Sequence, residues 1–547
     1  MKKLLGLLVV CGSVAVCFGQ GSLTPPGAPG PTMRTLDQVE PRQLLTNAPA
    51  TIGQPGSYYL ANNLSGTVTI AASDVSLDLM GFAIRAPSGD GIKINASRTN
   101  LLVRNGIVSA ALGNGLDFSL SMAGANGVIE DLRVSGCAFE GIAVGSGFTV
   151  RRCQVSGVAY AGIRVTGNAE VLENTVTRCG TGLGFIGEGA RAAGNIVKGN
   201  TDNYDFASGN QLHLMVSEIP ERLDWPCSVK LAGTLLCPTT GVHGLTVNAD
   251  DVTIDMDGHT LVGPGEGSGS GIYQSDDRRN LTVRNGKAIH WRGVGQAGFF
   301  TEGSGNRLSD LQATTNRYGL YAGFGCLLSD CAAQGNIGIG IFVESGNTIS
   351  GCSAQSNTQV GILALYENTI SGCAARYNGS DGIAVGHGNT LSRCTVKGNL
   401  HSGIGADSWN TLSECSATRN GASGIQASFG NILSDCAAGG NLAEGIRLGT
   451  ANRAVGNICI DNASGIRATG SDNRIDGNSC KSGNYGVRVE YVGNFIARNT
   501  CSGGVTNWSV VAGNVCLVVN AATAGAISGN AGGTAPGSTD PNANFTY

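Results

Sequence analysis

The chain has 547 residues, of which 86 are glycine, only 5% are aromatic and 14% are charged, and its formal net charge is −4. So much glycine with so few large side chains excludes an ordinary globular core, and the slight negative balance gives no footing for nucleic acid as a partner.

At the N-terminus, Lys2 and Lys3 precede an apolar stretch from Leu4 to Phe18, and Gly19 is a candidate cleavage position. Residues 1–19 therefore read as a signal peptide, and the protein as exported: secreted, periplasmic or held at the cell surface. Val10 before Cys11 and Val16 before Cys17 do not fit a lipoprotein signal, and no other stretch predicts a membrane span. Residues 20–44 form a Pro/Gly-rich leader, expected to be extended.

Two tandem copies of one architecture follow. Asp74-Val75-Ser76-Leu77-Asp78-Leu79 is echoed by Asp251-Val252-Thr253-Ile254-Asp255-Met256, and Leu102 to Gly106 by Thr282 to Gly286. The predicted division is a first solenoid at 45–210, a linker at 211–223, a second solenoid at 224–516 and a C-terminal tail at 517–547. Within the first copy, Leu132, Cys153, Asn174 and Asn195 are evenly spaced along the chain.

In the second copy the same step is held by Cys331, Cys352, Cys373, Cys394, Cys415 and Cys436, and then by Asn457, Asn478 and Asn499. Asn347, Asn368, Asn389, Asn410 and Asn431 repeat it, as do Gly-Ile doublets from Gly340-Ile341 to Gly445-Ile446. A period this regular is that of a solenoid with one repeat per coil. Each coil reads as three short strands, for example around Ile349, Ala354 and Ile362, separated by Gly, Ser and Asn turns. The fold class is therefore all-β, a parallel β-helix solenoid. Because the step, twenty-one, is not a multiple of six, the right-handed form is expected, and the absence of an LxxLxL run argues against leucine-rich repeats. Ile349, Ile370, Leu391, Leu412 and Leu433 should form a core ladder, and the Asn columns should be inward amides bonding along the stack.

Coils about 4.8 Å apart hold ladder cysteines too far from one another for the usual ~3.5–4.5 Å Cβ separation of a disulfide. Free buried thiols are expected there, including Cys459, Cys480 and Cys501. Cys227 and Cys237 stand outside the ladders and are the one candidate disulfide. No histidine accompanies the cysteines, so no metal is assigned.

The leader Leu23 to Arg42, the PGSYYL at Pro55 to Leu60, the paired SLDLMGFAI and TIDMDGHTL segments and the closing Pro541 to Tyr547 resemble those of the bacterial secreted right-handed parallel β-helix repeat proteins, within the pectin-lyase-like superfamily. That resemblance implies the fold over nearly the whole mature chain but no particular reaction. Across the wider superfamily it implies partners that are polysaccharides.

Candidate site residues are few. Asp381 and His387, the latter in Gly386-His387-Gly388, look loosely like pieces of a polygalacturonase site. Glu414 and Asp435 precede ladder cysteines on consecutive coils, with Arg393 before them, and could act as paired carboxylates or as Ca²⁺ ligands of a lyase. Their bland reading is a solvated turn column. Arg447, Arg467 and Arg488 follow one another in the outward column after the Gly-Ile doublets and suit carboxylates or sulfates along a polymer. Among the tryptophans, Trp291 and Trp409 are the better candidates for exposure, although Trp291 fits better still as a cap over the open core and Trp409, just before Asn410, fits a turn position equally well. The functional expectation is an exported, non-catalytic β-helix that binds polysaccharide or a cell-surface glycan, or serves as a surface or matrix scaffold, with no cofactor. The alternative is a polysaccharide lyase or glycoside hydrolase, for which Ca²⁺ would be the cofactor of a lyase.

Overall fold

A computed structural model describes residues 42–120, 124–520 and 540–547, and all regular structure among them is β-strand. The signal peptide and nearly all of the leader lie outside the described residues.

One coil of the second copy consists of Thr348–Ser350, Ser353–Gln355 and Ile362–Tyr366. Each pairs in parallel with its equivalent in the next coil: Ile349 with Ile370, Ala354 with Ala375, Ile362 with Ile383. The chain turns at three corners per coil, and each corner holds one residue in the left-handed region. At the first corner this residue is Asp330, Gly351, Gly372, Arg393, Glu414, Asp435, Gly456 and Gly477 in turn, with φ between 53° and 70°. Glycine recurs there because it alone adopts that φ without a Cβ penalty.

The residue after each corner points inward. At the first corner it is the cysteine column, and the six thiols from Cys331 to Cys436 are buried and free. Each donates to the carbonyl two residues back at 3.3–3.5 Å. At the third corner it is the Asn347 to Asn494 column, a continuous amide ladder. There the backbone N–H and Nδ2 of each Asn donate to Oδ1 of the next, while Nδ2 also reaches a carbonyl of the previous coil, as for Asn347 on Gly323. The exchange of Cys for Asn follows from this geometry. Cys373 Sγ faces the carbonyl of Ile349 at 3.8 Å, and Asn457, in the same column, gives Nδ2 to the equivalent Leu433 carbonyl at 3.1 Å.

Glycine is required for another reason at the doublets. A Cβ on Gly361 would stand 2.5 Å from both the Gly382 carbonyl and the Asn378 amide, so the coils close up only without one. The core between the three faces is narrow and aliphatic, with Ile349, Ile370, Leu391, Leu412 and Leu433 fully buried.

Two faces of the prism form one sheet that runs through the whole stack. The third face is divided into an eight-stranded sheet, Ala50–Ile52 to Asp202–Phe206, and a fourteen-stranded sheet, Glu221–Leu223 to Thr506–Val510. Residues 211–223, read from the sequence as a linker, continue the stack: Gln211–Val216 pairs on both sides, with Arg191–Lys198 and Ser228–Leu231. Part of the expected tail is likewise built in. Asn544 accepts from Asn499 N–H and Nδ2, extending the ladder by one rung 45 residues further along the chain.

The candidate disulfide is corrected. Cys227 and Cys237 are both buried free thiols. They lie at the two ends of a pair of strands in one coil, Ser228–Leu231 and Leu235–Leu236, whose partners in register are in the neighbouring coils, not in each other. Burial pushes the Cys227 thiol up to about 12.

The exposure considered for Trp291 is corrected as well. The residue is fully buried, its Nε1 donating to the Leu261 carbonyl at 3.1 Å. Gly244, Gly263 and Gly271 make room for it, since a Cβ on any of them would come within 2.8–3.0 Å of the indole.

Candidate functional site

The outward column after the Gly-Ile doublets stacks in register along the fourteen-stranded sheet, as Tyr273, Phe300, Tyr321, Phe342, Leu363, Ala384, Gly405, Gln426, Arg447, Arg467 and Arg488. Its side chains change in character along the solenoid. The first part is an aromatic ladder with rings stacked nearly parallel: His243 on Tyr273 at 4.2 Å, Tyr273 on Phe300 at 5.7 Å and Phe300 on Tyr321 at 4.5 Å. These rings spend their faces on one another and turn edges outward. The middle, at Ala384 and Gly405, is a flat floor. The far end is the arginine row.

Around the floor the coil geometry gathers polar and aromatic groups. Asp381, just before the strand Ile383–His387, leans across the sheet, so that its Oδ2 lies 3.0 Å from where a Cβ on Gly405 would stand. Its Oδ1 accepts the backbone N–H of Ser402 at 2.8 Å. Partial burial holds the Asp381 carboxyl above the ordinary carboxylate range, against the opposing pull of that hydrogen bond and of His401. On the other side of the floor, His387 stacks on Tyr366 at 5.7 Å and 9°, and its Nε2 lies 3.6 Å from Asp407. Gly405 and Asp407 occupy one face of one strand, about 7 Å apart. Asp381 and His387 therefore lie at opposite ends of their strand, yet both border the same floor, with Asp407 as a third group that the sequence reading did not single out.

Trp409 completes this edge. It is 63% exposed, stands edge-to-face with Phe429 at 5.1 Å, and lays its ring over Gly430, where Cε3, Cζ3 and Cδ2 come within 2.7–3.0 Å of the position of a Cβ. Trp409 occupies a third-corner position with φ of 58°, where the adjoining coils have Gly388 and Gly430. Large side chains occupy other left-handed corners of the stack, Tyr377 and Arg393 among them, and what sets Trp409 apart is an exposed indole beside the floor.

The other sequence candidates fall elsewhere. Glu414 and Asp435 are exposed first-corner residues with φ of 54° and 55°, directly before the ladder cysteines and away from the floor. Arg447, Arg467 and Arg488 do stack in register. Arg467 is clamped between Glu444 at 2.8 Å and Glu490 at 3.2 Å, and Arg488 pairs with Glu490 at 2.7 Å. Among the described residues no group of three or more His, Cys, Asp or Glu side chains is placed to hold a metal ion, and no helix is long and apolar enough to cross a membrane.

The molecule is thus a parallel β-solenoid with a shallow aromatic and acidic surface on one face. It belongs to the right-handed beta helix family, whose model matches residues 65–217 and 364–502. Residues 250–412 also match the family described as periplasmic copper-binding protein NosD. No curated protein matches the chain. Among solved structures it is similar to the Dettilon tailspike protein at 13% identity and a TM-score of 0.30, covering 64% of this chain and 62%, less than two thirds, of that one. It is also similar to the periplasmic alginate epimerase AlgG, at 12% identity and a TM-score of 0.27, covering 71% of this chain and 77% of that one. The A-module of the Azotobacter vinelandii mannuronan C-5 epimerase AlgE6 matches at 13% identity and a TM-score of 0.24, covering 83% and 91%.

Proposed function

We propose that this protein is an exported β-helix that binds polysaccharide on the outer face of its fourteen-stranded sheet, with the floor at Ala384 and Gly405 as the centre of the site. The observation that carries this reading is Trp409. Its ring is exposed, laid flat over Gly430 and held at a corner where the fold itself favours glycine. A flat exposed indole beside Tyr366, His387 and Phe429 offers apolar ring surface to the C–H face of a sugar, and Asp381 and Asp407 offer acceptors to its hydroxyls. Export is supported by the basic-then-apolar start of the chain and by the match to a family described as periplasmic.

The test is retardation of the purified protein in native gels containing soluble polysaccharides. Trp409→Gly should abolish retardation while leaving the thermal transition in place, since glycine suits that corner. Unchanged retardation of the variant would remove Trp409 from the site.

A second reading, cleavage of the bound chain, is favoured by one observation. Asp381, whose carboxyl is held above the usual range, lies over Gly405, and Asp407 stands two residues further along that strand, so two carboxyl groups border the same floor, as glycoside hydrolysis requires. Release of reducing ends that disappears in Asp381→Asn would establish it.

A further inference from the structure

The eight consecutive strands of the fourteen-stranded sheet from Ile272–Gln274 to Ile425–Phe429 contain no lysine or arginine. Their charged residues are Glu344 and Asp407; of the residues beside them Glu302, Glu367 and Asp381 are acidic, and Arg317, before Tyr318, is basic. These carboxylates follow the track of the aromatic ladder and the floor. Glu302 follows Thr301, just past the ladder ring Phe300 on the same coil. The Tyr321 hydroxyl donates to Glu344. Burial first, and then Asp276 and Glu344, push the Glu302 carboxyl above its ordinary range, as expected where acids crowd. The basic groups beside the floor are two imidazoles, His387, whose Nε2 lies 3.6 Å from Asp407, and His401, which acts on Asp381. The arginines begin only at Arg447, and Arg467 and Arg488 have their charge met by Glu444 and Glu490.

Resting on the reading of Trp409 as the glycan platform, we infer that the ligand of this face is an uncharged polysaccharide, and that Glu302, Glu344, Asp381 and Asp407 select it. Carboxylates are acceptor-only groups. They take hydrogen bonds from sugar hydroxyls, and they repel the uronate or sulfate groups of an acidic polymer lying over the same track. This reverses the preference for carboxylate or sulfate groups expected of the arginine row. Along the outward column the uncharged run Phe342, Leu363, Ala384, Gly405 and Gln426 spans five coils, and the first arginine, Arg447, stands two coils past Gly405 on the side away from Phe342.

The experiment measures binding of the purified protein to soluble neutral polymers (glucan, galactan, mannan) and to alginate, polygalacturonate and heparin. It is run at low ionic strength, once in EDTA and once with Ca²⁺. The expected result is at least one neutral polymer bound ten-fold or more tightly than any acidic one, with Trp409→Gly losing that binding. The combined variant Glu302→Gln, Glu344→Gln, Asp407→Asn should gain several-fold in affinity for the acidic polymers. Tyr377→Ala, on a corner of another face, serves as the control for surface substitution. An acidic polymer bound as tightly as any neutral one, in either buffer, and lost in Trp409→Gly, would overturn the selectivity while leaving the platform in place. Neutral-polymer binding that survives Trp409→Gly would overturn the platform itself, and binding of no polymer at all would remove both.

Discussion

Asn389 donates to Asn410 twice. Its backbone N–H and its Nδ2 reach the same Oδ1, one coil further on, at 2.8 and 3.0 Å. Asn410 in turn gives Nδ2 to the Gly386 carbonyl at 2.8 Å, so one side chain closes three buried polar groups. Replacing Asn410 by Ala strands the Asn389 N–H and removes the amide from the Gly386 carbonyl, while Asn389 Nδ2 keeps the Leu365 and His387 carbonyls; a loss of about 2–5 kcal/mol is expected from stranding buried donors and acceptors. In a stack where each coil touches only its neighbours, the damage should be local. Hydrogen exchange should quicken at the third corner of the coils around Asn389, Asn410 and Asn431 and remain slow in the first copy.

The converse substitution should be tolerated. Cys394 accepts the backbone N–H of Cys373 and faces the Ile370 carbonyl at 3.8 Å. Cys394→Asn supplies an amide oxygen and an amide N–H in those same directions, as Asn457, two coils on from Cys415, accepts the Cys436 N–H and donates to the Leu433 carbonyl. The urea midpoint should not fall, whereas Cys394→Leu, which offers neither group and adds volume to a packed core, should lower it.

How much of this could be read in advance follows from the period. Wherever successive coils keep one length, columns align by counting, so Cys331 to Cys436, the Asn ladders and the outward row from Phe342 to Arg447 were all legible. The row continues backwards from Phe342 through Tyr321 to Phe300 by the same step, but the step from Tyr273 to Phe300 is longer, and that irregular coil hides the aromatic ladder. Trp291 sits in that irregular stretch too, where a long strand, Thr282–Trp291, and three glycines enclose it. The column of Arg393, Glu414 and Asp435 was counted correctly and read chiefly as a solvated outer turn, but spacing does not reveal φ, so its left-handed corner was not read. Its alternation with Gly351, Gly372, Gly456 and Gly477 was the available signal of a left-handed corner. Asp381 over Gly405 is a contact between neighbouring coils, out of step with every column, that a single sequence does not disclose.

That corner gives a direct check. Glu414→Gly and Asp435→Gly place glycine where other coils of the column, at Gly351, Gly372, Gly456 and Gly477, already have it, relieving a non-glycine φ of about 54–55°. Stability should rise by up to about 1 kcal/mol or stay level, the relief being offset in part by the freer unfolded chain. If these carboxylates were catalytic or held Ca²⁺, the same variants would lose product release or a Ca²⁺-dependent rise in melting temperature. Neither loss is expected.

The floor can be filled without disturbing the fold. Gly405 belongs to the column that carries Leu363, Gln426 and Arg447 on other coils, so the outer face accepts large side chains at that register. Gly405→Leu should therefore keep the thermal transition within a few degrees while displacing Asp381 and blocking the approach to Trp409. Affinity for the retained polysaccharide should fall at least ten-fold, which corresponds to about 1.4 kcal/mol.

The break between the two sheets of the third face carries the clearest dependence on pH. Asn203 Nδ2 donates to Glu218 at 3.1 Å and to Glu221 at 2.8 Å, in a cleft of about 690 Å³ also lined by Trp225 and His243. Burial raises the Glu221 carboxyl to about 7, more than its hydrogen bonds to Asn203 and to the Arg222 backbone lower it. Because the folded value lies above the unfolded one, the native chain retains a proton that the unfolded chain gives up. The associated stability is fully present below about pH 4.5 and is lost as pH rises through 7, the reverse of the usual paired carboxylate. A difference of this size amounts to about 3 kcal/mol over the whole window. Glu221→Gln cannot ionise, so its stability should be flatter between pH 4.5 and 7 and should exceed that of the wild type above pH 7. Urea unfolding at a series of pH values measures both curves. Parallel curves would mean that Glu221 ionises at the same pH in the folded and unfolded chains, so that the closure of the cleft does not depend on its protonation.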